Sequence, residues 1–239
     1  MKVLIELPTW LGDCVMTTPA IENISNFDND VQITLIGSFV SIEAMKNDPK
    51  VVKTVVLDKK YRALYKIAKN LGDFDVFFSF RSSTRSKFLK FLISAKNKYQ
   101  FDKNTYIDSH QVEKYNNFVN DSLNTDFPAG KLTLSAISHR PSTNKTVGLN
   151  PGASYGSAKR WYPEEFAKVA GELSGQYDIV IFGGPGETDI ASDIEKSLIE
   201  NGITNYQNLA GKTSITALIE NISNLDLFIT GDSGPMHVA

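Results

Sequence analysis

The sequence has 239 residues, 41% of them hydrophobic, enough to bury a sizeable core as one large domain or two small ones, and its pattern favours two. A formal net charge of -2 argues against general nucleic-acid binding. No run approaches the roughly 18 uninterrupted apolar residues of a membrane-spanning helix, and the opening MKVLIELPTWLGD lacks a signal peptide's cleavage pattern, so a cytoplasmic protein with no transmembrane segment is expected.

Val3 to Leu7 reads as the first strand. It is followed by ELPTWLGDCVMTTPAIENI, where Gly12 permits a close turn and Asp13 stands at the start of a helix expected to run to about Ile24. A helix dipole favours an ionised carboxylate there, although an ordinary N-terminal helix carboxylate explains the spacing as well. Ile33 to Ile36, Val51 to Leu57 and Val76 to Phe80 continue the strand series with longer segments between them, the rhythm of a parallel sheet with crossover helices. Beyond it Arg81, Arg85, Lys87, Lys90, Lys96, Lys98 and Lys103 crowd one region opposed only by Asp102. That region is either a solvated helix face or a landing surface for an anionic acceptor or membrane.

From Phe127 to Asn144 the pattern dissolves into FPAGKLTLSAISHRPSTN, expected to be the linker between a domain of residues 1–143 and one of 144–239. A second alternating series follows: a strand from Thr146 to Asn150, a helix from about Pro163, a strand in YDIVIFGG, a helix from about Glu187, and a strand ending at Thr230. After Thr230 come only the nine letters GDSGPMHVA.

Three segments of the second half suit an anion. In NPGASYGSAKRWYPEEF a strand exits into Gly152, Ser154, Tyr155, Gly156 and Lys159, so that small residues let backbone N–H groups approach a phosphate while the lysine supplies a mobile charge. The loop is not GxxxxGK[ST], and no GxGxxG follows the first strand. FGGPGE is a weaker glycine turn in which Glu187 can accept protons from ribose hydroxyls. In TGDSGPMHVA, Ser233 and exposed N–H groups suit a pyrophosphate and Asp232 a sugar hydroxyl, with helix N-capping an equally simple role. Cys14 is the lone cysteine and cannot form an internal disulfide; His110, His139 and His237 lie far apart, so no metal is expected.

WLGDCVMTTPAIENI, NPGASYGSAKRWYPEEFAKVA, GGPGE, NLAGKTS and TGDSGPMHVA occur in the order seen in glycosyltransferase family 9, and the chain resembles that family, its heptosyltransferase II branch above all. The resemblance implies two Rossmann-like α/β domains facing a cleft (GT-B type), the first holding the acceptor and the second ADP-L-glycero-D-manno-heptose. It implies metal-independent, inverting transfer to a heptose of the Kdo-lipid A inner core at the cytoplasmic membrane face. Asp13 then falls at the base and Lys159 at the phosphate-binding lysine, with Ser154 and Tyr155 in the loop before it. Glu187 falls at the ribose contact, Thr213 near the adenine, and Asp232, Ser233, Gly234 and His237 at the donor-sugar and pyrophosphate motif. Lys59, Lys60, Arg62 and the Arg81 to Lys103 region would suit acceptor carboxylates and phosphates. Family members continue past the HVA segment, so the second domain is expected to be C-terminally incomplete, with an unpaired sheet edge. A family member with a different core-sugar acceptor, a nucleotide-sugar-binding remnant without turnover, and a membrane or protein interaction module remain the alternatives.

Overall fold

Each series of apolar runs folds as a parallel sheet of its own in a computed structural model of the chain, which describes residues 1–135, 144–152 and 159–239. The chain divides into two units, Met1–Ser135 and Ala136–Ala239.

In the first unit, β1 (Lys2–Glu6), β2 (Gln32–Gly37), β3 (Val51–Val56), β4 (Asp73–Ser79) and β5 (Ser94–Gln100) lie in the order β3-β2-β1-β4-β5. Helices α1 (Leu11–Val15), α2 (Thr18–Phe27), α3 (Phe39–Met45), α4 (Tyr61–Leu71), α5 (Thr84–Leu92) and α6 (Gln111–Leu123) connect or follow them. Central parallel strands are covered on both faces, so they read as unbroken apolar runs, and Val3, Leu4, Ile5, Ile33, Leu35 and Ile36 are all fully buried. On one face α4 and α5 bring Leu64, Ala68, Leu89 and Ile93 against Leu4, Ile36 and Phe77. On the other, Phe78 and Phe80 meet Phe118 of α6 edge to face, at 6.0 and 5.6 Å between ring centroids. Each such ring or branched side chain contributes roughly 1.5–3 kcal/mol on leaving water.

One sequence expectation is corrected here, and two segments are defined more closely. The helix expected to run from Asp13 to Ile24 is broken at Met16 and Thr17, because Pro19 has no N–H and its ring blocks the carbonyl four residues earlier. Side chains satisfy the carbonyls this frees: Thr17 Oγ1 donates to Cys14 O at 2.6 Å and Thr18 Oγ1 to Val15 O at 2.8 Å. The basic stretch is a helix only over α5; it then enters β5, an edge strand whose sequence SAKNKYQ lacks an apolar run. The early part of the expected linker is held within the first unit. Asn124 closes α6 in the left-handed region (φ 54), and Asn116 and Asn120 each donate to Phe127 O at 2.8 Å. Asn23 of α2 donates to Pro128 O at 3.0 Å, and Thr133 N donates to Thr18 Oγ1 at 3.1 Å.

In the second unit, β6 (Thr146–Asn150), β7 (Asp178–Ile181), β8 (Tyr206–Asn208) and β9 (Leu227–Thr230) lie in the order β8-β7-β6-β9. The helices are α7 (Pro163–Leu173), α8 (Thr188–Glu200), α9 (Ile215–Ser223) and α10 (Gly234–Val238). Phe166, Ala170, Ile194 and Leu198 of α7 and α8 pack on Val147, Leu149, Ile179 and Ile181. Gly148 sits where a Cβ would fall 2.4 Å from Leu225 Cδ1 and 2.8 Å from Phe228 Cδ2, so a larger residue there would force apart the opposite side of the sheet. β8 and α9 extend the expected series; a three-residue strand, YQN, carries no apolar alternation to reveal it.

Candidate functional site

In a parallel sheet, neighbouring loops diverge where the strand order reverses, and the opening they leave at the carboxyl ends of the strands is where ligands bind. The first sheet reverses between β1 and β4, the second between β6 and β9.

At the first reversal, Asp13 stands in the opening turn of α1, half-buried, on the segment that leaves β1. That segment is pinned from α3: Ser38 Oγ donates to Thr9 O at 2.8 Å, and Ser41 Oγ donates to Pro8 O. Burial raises the thiol of Cys14 to about 12 with help from the Asp13 charge, and burial followed by the same charge pushes the Tyr115 hydroxyl up. Both neighbours therefore stay protonated beside a carboxylate. With only five residues, α1 adds little dipole, so the position rests on the pinned loop more than on the helix.

Glu6, the last residue of β1, was not among the sequence candidates. It is fully buried, and its carboxylate accepts from Ser79 Oγ at 2.6 Å and Ser86 Oγ at 2.9 Å, with Arg81 Nη1 3.8 Å away. Burying a carboxylate costs on the order of several kcal/mol, and the two hydroxyls and the guanidinium offset part of it. Burial still dominates and raises the Glu6 pKa above the ordinary carboxylate range. A carboxyl closing the otherwise apolar VLI run was the signal available in the sequence. Because the folded pKa lies above the unfolded one, the folded state binds the proton more tightly, and stability falls as pH rises from the unfolded value through the folded one. In urea unfolding, Glu6→Gln should therefore gain on the parent chain as pH rises above the unfolded carboxyl value of about 4. A difference that does not change with pH would mean that Glu6 titrates alike in both states.

At the second reversal, Lys159 Nζ pairs with Asp232 Oδ2, joining the β6 exit to the β9 exit. Both side chains are exposed, 46% and 62%, so the pair contributes little to folding and its cation stays accessible to an anion. The hydrogen bond from Lys159 holds the Asp232 carboxyl below its ordinary range. Gly231 makes the approach possible, since a Cβ there would meet Lys159 O at 2.8 Å. Asn150, ending β6, donates to Thr230 Oγ1 and Ser233 Oγ, both at 3.0 Å. Ser233 is the N-cap residue of α10, but its hydroxyl makes no capping bond to that helix. Gly234 and His237 follow within α10.

Glu187 lies at the β7 exit, where its carboxylate accepts from Gly184 N at 2.7 Å. It also fills the space over Gly152, where a Cβ would fall 2.1 Å from its carboxyl carbon. Thr213 lies past β8, just before Ser214, which caps α9 by accepting from Ala217 N at 3.1 Å. Along this carboxyl edge, in sheet order, stand Thr213, Glu187, Lys159 and Asp232, an edge spanning roughly 14 Å over four strands. Ser154 and Tyr155 lie outside the described residues. A depression of about 590 Å³ at the amino end of the same sheet, lined by Thr146, Asp178 and Asn205, involves none of these residues. Among the described residues no group of three His, Cys, Asp or Glu side chains could hold a metal ion, and no helix is long and apolar enough to cross a membrane.

Residues 65–239 match the family described as glycosyltransferase family 9 (heptosyltransferase). The whole chain is 43% identical over 248 aligned residues to lipooligosaccharide heptosyltransferase 2 of Campylobacter jejuni, covering 77% of that protein. Among solved structures, ADP-heptose LPS heptosyltransferase II of Escherichia coli superposes with a TM-score of 0.84 at 21% identity, over 100% of this chain and 81% of the other. The family 9 glycosyltransferase of Veillonella parvula superposes with a TM-score of 0.85 at 23% identity, over 99% and 76%. Both likenesses establish the fold, α/β with parallel sheets of the GT-B type.

Proposed function

Because the chain belongs to glycosyltransferase family 9 and is thereby a heptosyltransferase-type enzyme, we propose that it transfers L-glycero-D-manno-heptose from ADP-heptose to a heptose of the Kdo-lipid A inner core, at the cytoplasmic face of the membrane that carries this acceptor. The observation that carries the donor reading is the order of side chains along the second carboxyl edge. Thr213, Glu187, Lys159 and Asp232 follow one another as adenine, ribose, diphosphate and sugar do in a nucleoside diphosphate sugar. Ser233, Gly234 and His237 would complete the pyrophosphate and sugar contacts, with Ser154 and Tyr155 on the loop before Lys159.

In this reading the second unit binds the donor and the first, residues 1–143 in the sequence division, the acceptor. Asp13 takes the proton of an acceptor heptose hydroxyl as its oxygen bonds to the anomeric carbon. The bond from that carbon to the β-phosphate oxygen breaks on the opposite face, its electron pair leaves with ADP, and the configuration inverts. Charge growing on the departing diphosphate is met by Lys159 and backbone N–H groups, whose attraction strengthens as the bond lengthens. Asp232, released from Lys159 when phosphate arrives, is then available to the sugar hydroxyls.

Acceptor preference tests the finer assignment. With ADP-heptose saturating, Kdo-lipid A already carrying one heptose should be glycosylated and the heptose-free molecule should not. The reverse preference would give the chain a different core-sugar acceptor, and ADP binding without turnover on either would make it a binding remnant.

A further inference from the structure

On the face of the first sheet covered by α4 and α5, the outward residues combine cations with aromatic rings. Arg62, Lys66 and Lys69 of α4 and Lys87 and Lys90 of α5 lie in segments that contain no acidic residue from Lys59 to Gly72 or from Val76 to Phe101. Phe91 is 80% exposed, and Tyr61, Tyr65 and Phe88 are also exposed. They form one patch: Tyr61 and Phe88 meet edge to face at 5.3 Å, joining the two helices, and Lys69 Nζ lies 4.9 Å from the Tyr65 ring centre.

A merely solvated helix pair would place charges at its outermost positions. On α5 the core direction is taken by Ser86, Leu89 and Ile93, and helical geometry puts Phe91 nearly opposite them with Lys87 at its flank. An apolar ring at the summit with lysines on the slopes suits a bilayer surface. The ring enters the headgroup and acyl boundary, the lysine stems lie along it with their ammonium groups among anionic headgroups, and tyrosine hydroxyls stay at the polar level. Both helices begin where β3 and β4 end, so their first turns stand at the sheet end that carries Asp13.

We propose that the outward face of α4 and α5, with Phe91 as its apolar tip, docks this unit on an anionic phospholipid bilayer. The inference deepens the reading of a lipid-anchored acceptor and rests on it for the place of work. The patch's chemistry stands apart from the donor site.

The test is co-sedimentation of the full chain with vesicles of phosphatidylethanolamine containing phosphatidylglycerol, beside vesicles of phosphatidylcholine alone, with no donor or acceptor present. Binding is expected to the anionic vesicles, to weaken with salt, and to fall about five-fold or more in Lys66→Glu. Phe91→Asp should lower it about ten-fold or more, because it removes the apolar tip and adds a like charge to the lipid's. Phe91 and Lys66 are exposed, so both variants should keep the parent's melting temperature and its ADP affinity, while losing turnover of acceptor embedded in vesicles. Equal binding by Phe91→Asp, indifference to lipid charge, or loss of a dimer in place of vesicle binding would each overturn the proposal. Vesicle binding with no transfer to any acceptor would leave the docking face standing and remove the enzymatic reading; transfer without vesicle binding would do the opposite.

Discussion

Asp13→Ala is expected to lower kcat for heptosyl transfer by roughly 10²- to 10⁴-fold, the range that a positioned general base supplies. ADP affinity should hold, because the donor edge lies on the other sheet, and the loop carrying Asp13 stays pinned through the Pro8 and Thr9 carbonyls by Ser38 and Ser41. Asp13→Asn should fall nearly as far, since an amide of the same shape cannot take the proton. Steady-state transfer at saturating donor, read beside a thermal melt, separates lost chemistry from lost folding. Full turnover in either variant would remove Asp13 from the reaction.

Lys159→Met is the second substitution with a large expected effect. A hydrogen bond to a charged group contributes about 1.5–3 kcal/mol, so ADP should bind roughly ten- to a hundred-fold more weakly. Turnover should fall further than binding, because the diphosphate gains negative charge as it departs and the lost interaction is strongest at that moment. Folding should be untouched: the Lys159–Asp232 pair is solvent-exposed on both sides, and methionine retains the aliphatic stem. Calorimetric ADP titration with single-turnover transfer reads both quantities. A loss confined to stability would make the pair a structural tie, and unchanged binding would place the diphosphate elsewhere.

What the sequence disclosed follows from burial. β1, β2, β4 and β6 are central strands covered on both faces, so their apolar runs are continuous and visible. β5 and β8 are edge strands with little to bury, and SAKNKYQ and YQN look like loop or helix surface. The interruption after α1 was written in Pro19, but the apolar periodicity on either side of it masked the break. Gly12, Asp13, Asn150 and Lys159 were legible as strand-exit positions because they end a strand or follow one closely in the sequence. The Lys159–Asp232 contact was not: it joins residues 73 apart, and only the β6 to β9 neighbourhood brings them together. Glu6 escaped for the same reason, since its partners Ser79 and Ser86 arrive on β4 and α5.

We propose that the cation-bearing edge of the second sheet holds an ADP-sugar and that Asp13 of the first unit activates the attacking hydroxyl. Incubating the chain with radiolabelled ADP-heptose and one-heptose Kdo-lipid A in the presence of EDTA, then determining the anomeric configuration of the product, tests it most directly. Labelled lipid A with the configuration opposite to the donor's is the predicted result. Retained configuration, or ADP binding with no label on the lipid, would contradict it.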